Sequence, residues 1–143
     1  MDEGEIALRV ADARVGRLAT VDREGRPHLV PFCFAAEGET IYSAVDAKPK
    51  HSKRLKRLAN IREHGVASVL VDHYDEDWSR LWWVRLDGHA EVLEGGRERE
   101  RAIALLAQKY EQYRARPPDG PVIAVRVERR RAWAANEREG GET

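Results

Sequence analysis

Apolar and polar residues alternate over short runs through most of the chain. This period-two pattern predicts strands at residues 14–22, 27–36, 40–45, 66–72, 81–93 and 122–134. Arg23-Glu24-Gly25-Arg26 separates the first two as a hairpin turn, with Gly25 free to take a positive φ, and Glu37-Gly38-Glu39 makes the next turn. Pro31 lies inside the second run. It cannot donate a ladder hydrogen bond, so it marks an edge or a bulge. Gly88, inside the 81–93 run, is read as a bulge or a point of close approach.

Three segments carry the helical period instead. Residues 3–13 follow Asp2 as a cap. Residues 52–63 have Leu55, Leu58 and Ala59 as their buried stripe, and Gly65 as their stop. Residues 97–113 turn Ile103, Leu106, Ala107 and Tyr110 inward and end at Pro117-Pro118-Asp119-Gly120. Residues 137–143 are polar and expected to be disordered, leaving 1–136 as a single domain. Six strands in hairpins with a few helices predict a mainly β protein, an antiparallel β-barrel with flanking helices. So small a barrel has little interior room. A large ligand would lie on its outside, where a partner subunit could supply a second wall.

Charge changes this picture at one place. The whole chain carries 25 basic and 25 acidic side chains, so no general field draws it to nucleic acid or to a membrane. Yet Lys48, Lys50, Lys53, Arg54, Lys56 and Arg57 fall within ten residues that contain no acid. They sit where a strand gives way to a helix. Backbone N–H groups and the helix dipole favour an anion at such a junction, and Lys and Arg add net charge. Asp46 at the same junction would repel phosphate and is read as a turn former.

The single cysteine, Cys33, lies between two phenylalanines and is read as a small buried apolar residue; it excludes an intrachain disulfide. Acids at Asp2, Glu3 and Glu5 with no apolar signal core, and no run long enough to span a bilayer, lead to an expected cytoplasmic location. The five histidines form no metal-type pair, and Ser52 has no nucleophile-elbow context, so hydrolase and metalloenzyme readings gain no support.

In order and spacing, several stretches are similar to one family. Gly16-Arg17-Leu18-Ala19-Thr20-Val21-Asp22, then Gly25-Arg26-Pro27-His28 and Val30-Pro31, resemble the opening hairpin of the pyridoxamine 5′-phosphate oxidase-like split β-barrel family. Tyr42-Ser43 followed by Lys48-Pro49-Lys50 and a leucine-containing helix resembles its phosphate-binding segment, and residues 84–93 resemble a later strand. Within the family, Lys48 and Lys50 together with residues 71–78 and Trp82-Trp83 look most like the deazaflavin branch, which uses coenzyme F420. The C-terminal Trp133-Ala134-Ala135-Asn136-Glu137 lacks the arginine-containing motif of true pyridoxamine phosphate oxidases, which argues against vitamin B6 oxidation. The resemblance implies a homodimer with its cofactor in a groove between subunits.

F420 and FMN both join a phosphate to a planar tricyclic ring. Lys48, Lys50, Ser52, Lys53 and Arg57 are the candidates for the phosphate, with Ser43 beside them at the junction. Val30, Pro31 and Phe32 would wall the ring, because a proline-interrupted edge leaves backbone groups free for a ligand. Trp78, Trp82 or Trp83 would cover its other face; Trp82 and Trp83 point to opposite sides of a strand, so at most one of those two meets the ring. Such a cofactor carries the chemistry itself, which fits the lack of a catalytic dyad; His28, His73 and Tyr74 are candidate proton donors. The expected function is hydride transfer between reduced F420 and an unsaturated or carbonyl-containing small molecule. The alternatives are an FMN oxidase or flavin reductase of the same fold, and a cofactor-binding protein without turnover.

Overall fold

The computed structural model describes residues 1–45 and 52–137; for residues 52–55 only the backbone is described. Helix α1 (Glu3–Asp12) opens with a reciprocal cap. Asp2 accepts from the Glu5 N–H at 2.8 Å and the Glu5 carboxylate accepts from the Asp2 N–H at 3.3 Å. Strands β1 (Gly16–Val21) and β2 (Pro27–Phe32) form the expected hairpin, with Gly25 at φ 83°. Strands β3 (Ala35–Glu37) and β4 (Thr40–Ala44) form a second hairpin. Helix α2 (Ser52–His64) ends at Gly65 with φ 72° and leads into β5 (Val66–His73). A 3-10 turn (Trp78–Arg80), β6 (Trp82–Leu93), α3 (Arg97–Lys109), α4 (Glu111–Ala115) and β7 (Val122–Ala134) complete the order.

All seven strands belong to one antiparallel sheet, ordered β2-β1-β5-β6-β7-β4-β3. This is the mainly β half-barrel with flanking helices that the alternation predicts. Two of the expected elements are corrected. The run at residues 27–36 is two strands, because the chain leaves one edge of the sheet after Phe32 and joins the opposite edge at Ala35. The helix at 97–113 is two helices, because Tyr110 is extended (φ −117°, ψ 121°). That break turns the Tyr110 hydroxyl toward the crossing. It accepts from the Phe34 N–H at 3.1 Å and lies 3.1 Å from the Phe34 carbonyl and 3.0 Å from the Arg14 carbonyl. Arg114 then donates to the Ala107 and Gln108 carbonyls, satisfying acceptors that the end of α3 leaves open.

The concave face holds the core, with Leu18, Phe34, Val69, Val71, Val84, Ile123 and Val125 almost wholly buried. Helix α2 covers one end through Leu58 and Ile61, and its buried Asn60 donates to Thr20 on β1 at 3.1 Å. Ala59, expected inside, is exposed. The turn of helix between Leu58 and Ile61 brings Asn60 rather than Ala59 to the sheet. On the convex face, cross-strand registers align Pro31, Arg17, Leu70, Arg85 and Arg131, and beside them Asp72, Trp83 and Trp133. Leu29 on that face is 68% exposed. No helix among the described residues is long and apolar enough to cross a membrane.

The β6–β7 register slips between Asp87 and Gly88, where the backbones approach so closely that a Cβ on Gly88 would lie 2.0 Å from the Arg126 carbonyl oxygen. Gly88→Ala is therefore expected to destabilise the fold toward the upper end of about 1–3 kcal/mol, read as a lower midpoint in urea denaturation.

Candidate functional site

A cleft of about 770 Å³ opens where the chain crosses from β2 to β3. Pro31, Phe32 and Cys33 form one wall, and Ser43, Ala44 and Val45 at the end of β4 form the next. Arg57 enters from α2, and Gln112, Tyr113 and residues 115–119 close the rim together with Val15. The crossing explains the site. A barrel seam leaves backbone atoms without ladder partners, and these must be met by side chains. Tyr110 meets those of Phe34, and the Ser43 hydroxyl donates to the Cys33 carbonyl at 2.9 Å.

Four of the sequence-derived residues, Pro31, Phe32, Ser43 and Arg57, thus come together in one cleft. Phe32 stacks on Phe34 with ring centroids 5.3 Å apart, giving an apolar wall beside a cationic one. Ser43 is buried and its hydroxyl donates to backbone, so it offers a ligand lone pairs rather than a proton. Val30 packs against the core and is not part of the cleft lining. Trp78 stands on the 3-10 turn, 67% exposed, and is also outside the lining; its indole donates to the Tyr74 hydroxyl at 3.3 Å. Trp82 is taken up by α1, with the Arg9 guanidinium 4.7 Å above its ring. Lys48 and Lys50 lie outside the described residues, as do the side chains of Ser52 and Lys53.

Cys33 corrects an expectation: it is exposed and lines the cleft, because the in-out alternation turns Phe32 and Phe34 inward and Cys33 between them outward. The rim formed by Tyr113, Arg116, Pro117, Pro118 and Asp119 was not foreseen either. Its only sequence signal is a helix stop, which says nothing about where the stop is placed. Arg99 holds that loop by donating to the Gly120 carbonyl at 2.8 and 3.1 Å.

Electrostatically, the α2 side of the site is cationic and tied to the β1–β2 turn. Asp22 accepts from the Glu24 and Arg26 N–H groups at 2.9 Å each and from the Arg26 guanidinium at 3.0 Å, with Lys56 at 3.5 Å. The Arg26 N–H bond, foremost, holds the Asp22 carboxyl far below its ordinary range. Burial, followed by the charges of Arg57 and Lys56, pushes His28 down. Behind the seam, the Lys109 amine lies 4.1 Å from the Phe34 ring centroid, and burial lowers it to about 8.

An antiparallel half-barrel with its cleft at the closing seam defines a split-barrel protein. Residues 3–134 match the pyridoxamine 5′-phosphate oxidase family, and the chain belongs to that family. No curated protein matches the sequence. Among solved structures, a conserved hypothetical protein from Mycobacterium tuberculosis shares the fold with a TM-score of 0.78 at 24% identity, over 94% of this chain and 86% of that one. A FAD-binding protein from Mesorhizobium loti has a TM-score of 0.70 at 20% identity, over 92% and 94% of the two chains. A heme-binding protein from Mycobacterium smegmatis has a TM-score of 0.73 at 22% identity, with 94% of this chain covering 55% of that one.

Asp22 yields a pH prediction. Its folded pKa is depressed below the ordinary 3.8, so its contribution is present above that value and is lost as pH falls below it. Asp22→Asn is expected to lower stability at neutral pH and to flatten the loss on acidification, seen by comparing denaturation midpoints at neutral and acid pH.

Proposed function

We propose that this cleft holds F420 and that the protein is an F420-dependent reductase acting on an unsaturated or carbonyl-containing small molecule. The observation that carries the reading is the junction of an apolar wall, Pro31 and Phe32, with the Arg57 guanidinium in one cleft of about 770 Å³. That volume falls in the range of small-molecule and cofactor sites, and the two chemistries match a planar ring joined to a phosphate. When bound, the cofactor supplies the hydride chemistry. Arg57 holds the phosphate, joined by Lys48 and Lys50 from the preceding segment and by Ser52 and Lys53 at the start of α2. Pro31 and Phe32 bound the ring on its apolar side, and Arg116 at the rim adds charge suited to a carboxylate tail.

We place the cofactor in a groove of a homodimer. The convex sheet face, with Leu29 exposed and Leu70, Trp83 and Trp133 only half covered, supports a second copy there. Trp78 lies outside its own chain's cleft lining, so in this reading it covers a ring from the partner subunit.

FMN is the second reading, favoured by the likeness to a FAD-binding protein. Titration of the purified protein with each cofactor, followed by fluorescence, separates them: F420 is expected to bind more tightly than FMN, and the reverse order would transfer the site to a flavin. Lys50→Ala and Arg57→Ala are each expected to weaken F420 binding by roughly 10- to 100-fold, the loss of one charge-assisted contact, with Lys48→Ala smaller. Unchanged affinity in all three would remove the phosphate assignment. Oxidation of bound reduced F420 against a panel of enones and quinones tests turnover, and its absence would leave a binding protein without catalysis.

A further inference from the structure

We propose that a second copy of this chain seats on the sheet face that carries Arg17, Trp83 and Trp133, and that Glu76 of each copy pairs with Arg17 of the other. The pair is a latch that carries Trp78 across to the cleft of the partner subunit. This rests on the homodimer placement above and goes beyond it by assigning the contact that sets the two copies in register.

Charges on this face do not balance within one chain. Arg85 and Arg129 share Asp87, at 3.1 and 3.5 Å. Arg17 and Arg131 have no acid within ion-pair distance among the described residues, and Arg17 reaches only the Gly16 carbonyl, at 3.5 Å. Two acids are equally without a cation there: Asp72 on the same face, and Glu76 in the loop between β5 and β6. Unmatched charges of both signs suit a two-fold interface, in which each copy presents both halves of every contact. Trp83 and Trp133, half-buried in the row beside Arg17, are of the residue type that anchors protein interfaces.

Position singles out Arg17. Its cross-strand neighbour is Pro31, which lines the cleft, so the face runs into the cleft at this point. Hydrogen bonding singles out Glu76. Its carboxylate accepts from the Tyr74 hydroxyl at 3.1 Å, and that hydroxyl accepts from the Trp78 indole at 3.3 Å. Seating Glu76 therefore places the indole as well, through two hydrogen bonds. The loop is already shaped for this, since Asp75 accepts from the Asp77 N–H at 2.8 Å and Asp77 from the Ser79 N–H at 3.1 Å. Tyr74 and Trp78 stand mostly in solvent in the single chain, and docking beside Arg17 and Pro31 covers both.

Analytical ultracentrifugation over a range of protein concentrations reads the dimer dissociation constant. Glu76→Lys and Arg17→Glu are each expected to raise it roughly three- to thirtyfold, because two-fold symmetry makes the contact twice. The double variant, with the charges exchanged, is expected to recover most of that loss. Both residues are exposed, so the fold is expected to survive, and circular dichroism checks it. A monomer at every concentration, a dimer indifferent to both reversals, or losses that add in the double variant instead of cancelling each overturn the latch. F420 binding by a protein whose dimer ignores both reversals would sink this inference alone. Rescue by charge exchange in a protein that binds neither F420 nor FMN would keep the latch and sink the cofactor reading.

Discussion

Closure of the sheet at Cys33 and Phe34 is the constraint from which the rest follows. A chain that leaves β2 at one edge and resumes as β3 at the other carries two residues, exposed Cys33 and buried Phe34, through a seam without ladder partners. Unsatisfied, each such backbone group costs about 1–3 kcal/mol. Tyr110 and Ser43 meet that demand from opposite sides, one from beyond α3 and one from β4. The break between α3 and α4 has its reason here, because a continuous helix would not present the Tyr110 hydroxyl in an extended residue. The cleft has the same origin: the seam cannot be packed as tightly as a paired edge, and the residues that stitch it stand around the gap.

A second set of contacts decides how the cationic helix sits on this frame. The Asn60–Thr20 bond is buried, and the Lys56–Asp22 pair lies at its border. Asp22 is held chiefly by the backbone of its own turn, so the hairpin forms a rigid anchor to which α2 is attached. Arg57, next to Lys56, is thereby delivered to the cleft. Local turn chemistry at residues 22–26 and the position of a distant charged wall are thus linked through one helix.

Much of this was legible in the chain. Period-two runs located β1, β4, β5, β6 and β7 to within a residue or two, and Gly25, Gly65 and Gly88 each stand where a positive φ or a close approach requires glycine. Pro31 does lie on the first strand of the sheet order, where a missing N–H is tolerated. What could not be read was where the sheet closes. Residues 27–36 look like one strand, because a crossing made of Cys33 and Phe34 keeps the apolar character of its flanks. For the same reason Cys33 reads as buried although it faces the cleft. The Tyr110 break was hidden too, since its cause is a hydrogen bond to a residue 76 positions away. Of the ten residues expected at the site, Pro31, Phe32, Ser43 and Arg57 line one cleft, whereas the rim at its other side depends on tertiary placement by Arg99.

That rim has one property of its own. Pro117 and Pro118 have fixed φ angles, and the Arg99 guanidinium clamps the end of their loop at Gly120. A wall built this way has little conformational freedom left to surrender when something enters beside it. Guests would be chosen by fit to a stiff lip rather than by remoulding it, so a change of residue there should alter which molecules are admitted more than how well the barrel folds.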